Sequence, residues 1–138
     1  MAELRRCVQK LGFVGVLVNG STQGLYLDDP GLDLFWRTLE DLDVPLYLHP
    51  GLPTNHSASM VEELEGATWE WSFDTATQAL CWIVGNFFQR HLNAKVIIGH
   101  MGANLPFYLW HLDRRFELTR YRSKLSSKPC DVFRDHFF

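Results

Sequence analysis

The amino-acid sequence predicts an α/β protein with parallel strands that forms part of a (β/α)8 TIM barrel. Three short apolar runs, at residues 13–18, 45–49 and 95–99, alternate with segments whose apolar residues recur at helical spacing. Such apolar runs are typical of strands buried on both faces of a parallel sheet. Regular alternation of strands and helices indicates right-handed βαβ crossovers. A complete barrel usually takes roughly 250 residues, so the 138 residues of this chain are a little over half of one.

The predicted elements are, in order, helix 2–10, strand 13–18, helix 28–42, strand 45–49, irregular segment 50–71, helix 72–91, strand 95–99, a helix after Asn104, linker 123–130 and an incipient strand at 132–138. Gly12 stands where the first helix needs a C-terminal cap. Asn19 and Gly20 form a turn signal after the first strand. The Asp-Asp-Pro run at residues 28–30 is typical of a helix start, and Pro45 prevents that helix from continuing.

The later elements rest on similar signals. Segment 50–71 contains two prolines and is too long for a simple connector, which suits a lid or a binding loop. Ser72 or Asp74 can cap the helix that follows, and Asn104 can cap the next one. Residues 132–138 begin a strand that the chain does not finish.

Composition and charge restrict the class of protein. We expect one domain over residues 1–138, because 46% hydrophobic and 14% aromatic residues suit a single core. The net charge of −3 comes from mixed signs, which argues against a nucleic-acid partner. No segment reaches the roughly 18 apolar residues of a membrane span. Three widely spaced cysteines and no signal-peptide pattern predict reduced thiols in a cytoplasmic protein.

Two of the predicted strands end in histidine, at His49 and His100. The carboxyl ends of parallel strands meet at one edge of a sheet, where α/β folds keep their chemistry. His49 can bind a divalent metal such as Zn or Mn through an imidazole nitrogen. His100 can act as a general acid or base. Either residue alone could be a hydrogen-bonded structural histidine, and the two together are too few ligands to complete a metal site.

Two further residues are candidates for binding a substrate. Asn19 ends the first strand, so its amide could hydrogen-bond a substrate oxygen; the alternative is a plain turn residue. Trp71, with Trp69 and Phe73 nearby in the sequence, could line an apolar slot for an aromatic ligand. Core packing is the alternative use of these aromatic side chains.

Segments 13–20, 26–30, 45–50, 97–102 and 104–107, in this order and at these intervals, resemble the amidohydrolase-related aromatic-acid decarboxylases. These are relatives of aminocarboxymuconate-semialdehyde decarboxylase, and the similarity is greatest to γ-resorcylate and 2,3-dihydroxybenzoate decarboxylases. The resemblance covers nearly the whole chain.

The resemblance implies a carboxy-lyase on a TIM barrel that decarboxylates a small hydroxylated aromatic carboxylic acid without oxidation. It implies a divalent metal (Zn, Mn or Mg) and a homo-dimer or homo-tetramer. His49 matches the family's metal-ligating histidine and His100 its catalytic histidine, while Asn19 lies at the substrate pocket.

The chain also departs from the family pattern. The family's first strand with its metal-binding pair and the aspartate of its last strand have no counterpart here. Ala103 stands where a glutamate is common, and His111 where an arginine is expected. We therefore expect weak or no activity from the isolated chain. Two alternatives stay open: a metal-dependent hydrolase of the same superfamily, and an inactive structural or regulatory barrel fragment.

Overall fold

A computed structural model describes residues 1–21, 24–51, 61–120 and 124–138. Its centre is a three-stranded sheet in the order β1 (Val16–Asn19), β2 (Leu46–His49) and β3 (Val96–Ile98). Both strand pairs are parallel. Helices connect the strands, so the predicted architecture, an α/β fold that is part of a barrel, is confirmed.

The helices lie before, between and after the strands. They are α1 (Ala2–Leu11), α2 (Asp33–Leu42), α3 (Glu70–Val84), α4 (Phe87–Arg90), the short α5 (Gly99–Gly102), α6 (Leu105–Glu117) and α7 (Pro129–His136), with single 3₁₀ turns at Pro30–Leu32, Glu62–Leu64 and Gly66–Thr68. In the part of the chain that the structure describes, no helix has the length and apolarity to cross a membrane.

Two of the predicted capping signals are confirmed, whereas Ser72 and Asp74, predicted to cap a helix, lie inside α3, which begins at Glu70. Gly12 has a left-handed backbone (φ 74°) and its N–H donates to the Cys7 carbonyl at the end of α1. The Asp29 carboxylate accepts a hydrogen bond of 2.8 Å from the N–H of Gly31, which starts the turn that leads into α2.

The sheet is covered on one face only, and the expectation of burial on both faces is wrong for this chain. Leu46, Leu48 and Val96 face the helices and are fully buried. Leu17 points the other way and is 57% exposed. That second face is the interior in a closed barrel, where side chains from all the strands fill it. Every second side chain of these strands points to that face and is therefore partly exposed to solvent.

Several element boundaries differ from the prediction, and the largest differences are these. The first strand begins at Val16 rather than at residue 13. The long helix after segment 50–71 ends at Val84, because Asn86 takes a left-handed backbone (φ 56°) and starts the separate α4. Residues 132–138 belong mostly to α7, and the strand they were predicted to begin is reduced to a parallel bridge between Phe137 and Val96. Of segment 50–71, residues 52–60 lie outside the described residues, and residues 62–68 form two 3₁₀ turns before α3.

An aromatic cluster holds the helices against the sheet. Trp36 is fully buried and meets Trp82 and Phe87 edge-on, with ring centroids 5.5 Å and 4.8 Å away. Its indole N–H donates to the Leu27 carbonyl at 2.7 Å. The cluster therefore combines large apolar burial with a satisfied polar group.

His91 lies next to this cluster and is also fully buried. Its Nδ1 is 3.0 Å from Glu40 Oε2, and its Nε2 is 3.2 Å from Asp33 Oδ1. Both ring nitrogens therefore lie within hydrogen-bond distance of a carboxylate oxygen on α2. This histidine fastens α2 to the end of α4 and has a structural role.

Candidate active site

The ends of the three strands bring Asn19, His49 and His100 to one edge of the sheet. Asn19 pairs directly with His49 in the parallel register. The ring centroids of His49 and His100 are 5.5 Å apart, with the ring planes inclined at 59°. His49 is half-buried, whereas His100 and Asn19 are exposed. The two imidazoles therefore share the space above the carboxyl ends of β2 and β3.

The tautomer of His49 follows from its neighbour. Its Nδ1 lies 2.9 Å from the Pro50 carbonyl oxygen, which can only accept a hydrogen bond. Nδ1 therefore carries the proton and Nε2 presents its lone pair. Metal-binding histidines are oriented in this way by a hydrogen bond from their second nitrogen.

His100 stands on an unusual turn. Five consecutive residues, 100–104, have positive φ values between 50° and 78°. A left-handed backbone costs about 1–2 kcal/mol for each residue other than glycine, and such strain is characteristic of functional sites. Ala103 and Leu105 are buried beneath the turn and hold it in place. Asn104 precedes α6 as predicted, but its side chain makes no capping hydrogen bond.

The loops after β1 and β2 touch through two glycines. Gly20 has a φ of 50°, and its N–H donates to the His49 carbonyl at 2.8 Å. A Cβ on Gly20 would lie 2.8 Å from the Cα of Gly51, closer than real Cβ contacts come. The close contact between Gly20 and Gly51 keeps Asn19 beside His49.

We expect Gly20→Ala to destabilise the protein by about 1–3 kcal/mol. The new methyl group must push the two loops apart as well as adopt a strained backbone. Urea denaturation measures the change. Gly24→Ala is the matched control, because Gly24 has a φ of 80° and a Cβ there would meet nothing within 4 Å. Equal losses in the two variants would show that the loop contact contributes nothing.

A tyrosine and an aspartate lie beside the same loops. The Tyr26 hydroxyl donates to Asp74 Oδ1 at 3.0 Å. Asp74 Oδ2 is 3.7 Å from the position of a Cβ on Gly20, so the first turns of α3 reach the rim. Burial, followed by the negative charge of Asp74, raises the pKa of Tyr26 to about 12.

This raised pKa predicts a loss of stability in alkaline solution. The unfolded tyrosine ionises near pH 10, so the folded state holds the phenolic proton more tightly. The stabilisation is complete below about pH 10 and is lost as the pH rises toward the folded pKa of about 12. Urea midpoints for Tyr26→Phe should fall less steeply over this interval than those of the wild type. Asp74→Asn removes the charge and should give an intermediate slope; parallel curves for all three proteins would contradict the assignment.

Trp71, the other candidate for substrate binding, lies in the first turn of α3. Its half-buried ring packs 3.7 Å from the position of a Cβ on Gly66. Its indole N–H is buried and has no hydrogen-bond partner among the described residues. Trp69 and Phe73 instead line a groove of about 270 Å³ between α3 and α6. A substrate contact by Trp71 stays a prediction.

The described residues do not complete a metal shell. No group of three or more histidine, cysteine, aspartate or glutamate side chains in ranges 1–21, 24–51, 61–120 and 124–138 could hold a metal ion. His49 fits a metal as one nitrogen ligand through Nε2. Ala103 offers no carboxylate at the turn that carries His100. Sequence analysis did not identify Tyr26 as a site residue and predicted Asp74 only as a helix cap. The two residues are 48 positions apart, so no sequence motif contains both of them.

Comparison with known proteins identifies the family of this chain. Residues 1–129 match the amidohydrolase family model. A γ-resorcylate decarboxylase from Rhodococcus jostii is 43% identical, over 99% of this chain and 46% of its own length. The crystal structure of 2,6-dihydroxybenzoate decarboxylase complexed with 2,6-dihydroxybenzoate superposes with a TM-score of 0.86 at 38% identity, covering 99% of this chain and 45% of that one.

A further solved relative contains a metal. The dihydroxybenzoic acid decarboxylase from a Polaromonas species, with bound manganese and the inhibitor 2-nitroresorcinol, gives a TM-score of 0.87 at 38% identity over 99% of this chain and 45% of that one. This chain thus spans about half the length of the relatives that it matches. The family model covers residues 1–129 and the relatives match nearly the whole chain, so the chain belongs to the amidohydrolase family.

Proposed function

We propose that this chain is the histidine-bearing part of a carboxy-lyase that decarboxylates a hydroxylated aromatic acid of the dihydroxybenzoate type with a divalent metal. The observation that carries the proposal is the pairing of His49 and His100, with ring centroids 5.5 Å apart at the ends of adjacent parallel strands. The similarity to named dihydroxybenzoate and resorcylate decarboxylases supports the substrate class.

The proposed role of His100 is proton transfer to the substrate. In this reaction the carboxylate leaves as CO2, its bonding electron pair stays on the ring carbon, and that carbon takes up a proton. His100 is exposed at the rim on a turn that fixes its backbone, so it can deliver a proton to a ring bound above the strands. Asn19, next to His49, can hydrogen-bond a phenolic hydroxyl or a carboxylate oxygen of the same ring.

His49 has the task of holding the metal. A divalent ion supplies Lewis-acid stabilisation of negative charge on the acid, and manganese is bound in a relative. His49 fits one coordination position because the contact of Nδ1 with the Pro50 carbonyl oxygen leaves Nε2 available to the ion. The remaining ligands are not among the described residues.

The test is metal-dependent release of CO2 from 2,6- and 2,3-dihydroxybenzoate. We expect weak or no turnover by the 138-residue chain in the presence of Mn²⁺, because one or two nitrogens do not form a catalytic metal site. A longer polypeptide that carries this chain and the remaining strands of the barrel should release CO2. Ester or lactone hydrolysis without decarboxylation would favour the hydrolase alternative, and strong turnover by the isolated chain would refute the expected inactivity.

Two broader proposals accompany this one. We infer a homo-oligomer, a dimer or a tetramer, from the family resemblance. We also infer a cytoplasmic protein, since Cys7, Cys81 and Cys130 are all free thiols.

A further inference from the structure

A tyrosine lies one layer below the histidine pair, on the partly open face of the sheet. Tyr47 pairs with Leu17 on β1 and with Ile97 on β3 in the parallel register, so these three residues form one row across the sheet. The next row on the same face, toward the carboxyl ends of the strands, contains Asn19 and His49. Successive rows on one face are about 6.6 Å apart, which places Tyr47 directly beneath the proposed site.

The phenol ring of Tyr47 stacks on the imidazole of His49. The two ring centroids are 6.4 Å apart, and the ring planes are inclined at 25°. Stacked aromatic pairs have centroids about 4.5–7 Å apart, so the two rings are in attractive contact. The hydrogen bond of His49 Nδ1 goes to the carbonyl oxygen of the adjacent residue, Pro50. That bond fixes the imidazole relative to its own backbone, and Tyr47 supports the ring from below.

The hydroxyl end of Tyr47 lies against the residue that precedes His100. A Cβ on Gly99 would be 3.2 Å from the Tyr47 hydroxyl oxygen, 3.5 Å from Cε1 of the same ring and 3.2 Å from the Leu48 carbonyl oxygen. Nine in ten real Cβ contacts are longer than 3.4 Å. The absence of a side chain at the buried Gly99 therefore makes room for the hydroxyl. Through this contact Tyr47 reaches from β2 to the backbone that carries His100.

Filling the barrel interior is the simpler role for this side chain, because bulky residues occupy that space in layers. A residue that only fills space contacts whatever surrounds it and can be replaced by another apolar side chain. Tyr47 instead contacts both of the strand ends that carry the histidines. It is therefore placed to determine how far apart the two imidazoles stand, which is 5.5 Å between ring centroids.

We propose that Tyr47 is a positioning residue, a spacer that sets the distance between the imidazoles of His49 and His100. Its ring supports the first imidazole, and its hydroxyl fixes the start of the turn that carries the second. The inference rests on the proposed function, in which one histidine binds the metal and the other moves a proton. Groups that orient a metal-binding histidine change metal affinity or activity by about 10–100-fold when they are replaced.

Nuclear magnetic resonance of the 138-residue chain with isotope-labelled histidine tests the first contact without a metal. Tyr47→Leu should move the ring-proton signals of His49 downfield, because protons over the face of an aromatic ring are shielded. It should also weaken the nuclear Overhauser effects between the rings of His49 and His100. Tyr47→Phe keeps the ring and should preserve both signals. Leu17→Ala is the matched control, since Leu17 lies in the same row as Tyr47. Unchanged His49 signals in a folded Tyr47→Leu protein would overturn the proposal.

Gly99→Ala tests the second contact. The new methyl group must displace the Tyr47 hydroxyl and the Leu48 carbonyl, so it should shift the ring signals of His100. In the Tyr47→Phe background the hydroxyl is absent, and the shift should be smaller because residues in contact do not act additively. Equal shifts in the two backgrounds would show that the hydroxyl does not fix the turn, which removes the spacer role. This comparison also decides the matter if Tyr47→Leu fails to fold.

Manganese affinity of a longer polypeptide that carries this chain and the remaining strands supplies the second readout. Tyr47→Leu should raise the Kd for Mn²⁺ about 10-fold or more, whereas Tyr47→Phe and Leu17→Ala should bind as the wild type does. A residue that only fills space would change the free energy of unfolding and leave the Kd of the folded protein unchanged, and that result would overturn the proposal. If the shorter chain aggregates, the Kd values of Gly99→Ala with and without Tyr47→Phe replace the spectra.

The two readouts separate this inference from the proposed function. A wild-type longer polypeptide that does not bind Mn²⁺ would contradict the proposed metal-dependent decarboxylase. The histidine spectra would still show whether Tyr47 holds the two imidazoles in place. Normal metal binding and turnover with unchanged spectra in folded Tyr47→Leu would instead reject the spacer and leave the proposed function intact.

Discussion

Replacing His100 with asparagine in a complete barrel that contains this chain is expected to lower kcat for decarboxylation about 10²–10⁴-fold. The proposed role of this imidazole is to deliver the proton to the ring carbon, and a side-chain amide is not a general acid near neutral pH. Asparagine tolerates a left-handed backbone, so the turn at φ 51° should keep its shape. The measurement is steady-state CO2 release from 2,6-dihydroxybenzoate with Mn²⁺.

The neighbouring residue supplies the control. Met101 has nearly the same backbone (φ 55°) and a side chain that is 92% exposed, so Met101→Asn disturbs the turn equally without removing an imidazole. It should keep kcat within a few-fold of the wild type. Equal losses in the two variants would mean that the turn matters rather than the histidine.

A second measurement separates His100 from His49. Titration with Mn²⁺ should show an unchanged metal affinity for His100→Asn and a loss of about 10-fold or more for His49→Asn, since His49 offers the free Nε2. An unchanged affinity in His49→Asn would remove this residue from the metal site.

Trp36→Ala is expected to destabilise the fold by about 3–5 kcal/mol. The substitution empties a fully buried position between Trp82 and Phe87. It also removes the hydrogen bond to the Leu27 carbonyl. Domains are stable by about 5–15 kcal/mol in total, so this one change should leave the protein near its unfolding threshold. Urea denaturation followed by far-ultraviolet circular dichroism measures the loss.

Two comparisons make this prediction specific. Trp36→Phe keeps an aromatic ring but loses the N–H donor, so it should cost about 1–2 kcal/mol. Leu92→Ala changes a residue that is 72% exposed and should stay within about 0.5 kcal/mol of the wild type. A loss below about 1 kcal/mol for Trp36→Ala would show that the cluster is loosely packed.

Several features follow from the sequence because their causes are local or periodic. Gly12 ends α1 because its left-handed backbone suits glycine, and Asp29 starts a turn with its own carboxylate. The parallel sheet follows from the alternation of strands and helices. His49 and His100 could be placed at one rim because the strands that carry them are parallel, and parallel strands end at the same edge.

Other features depend on contacts between distant residues. The apolar spacing continues across residues 84–87, so nothing in that pattern marks the break that Asn86 makes. Residues 132–138 were predicted as a strand, although a short apolar run is compatible with either a strand or a helix. Packing against the core favours the helix α7. Burial on one sheet face reflects which neighbouring strands are present, and a strand's own sequence does not specify that.

The sequence by itself determined the fold class, the order of the elements and the pair of histidines, since each depends on residue type and spacing along the chain. The tertiary structure alone decided the Tyr26–Asp74 pair, the burial of His91 between two carboxylates and the contact of Gly20 with Gly51. The physical reason is that these contacts join residues far apart in sequence. Their energies depend on how helices and strands pack, and no local pattern encodes that.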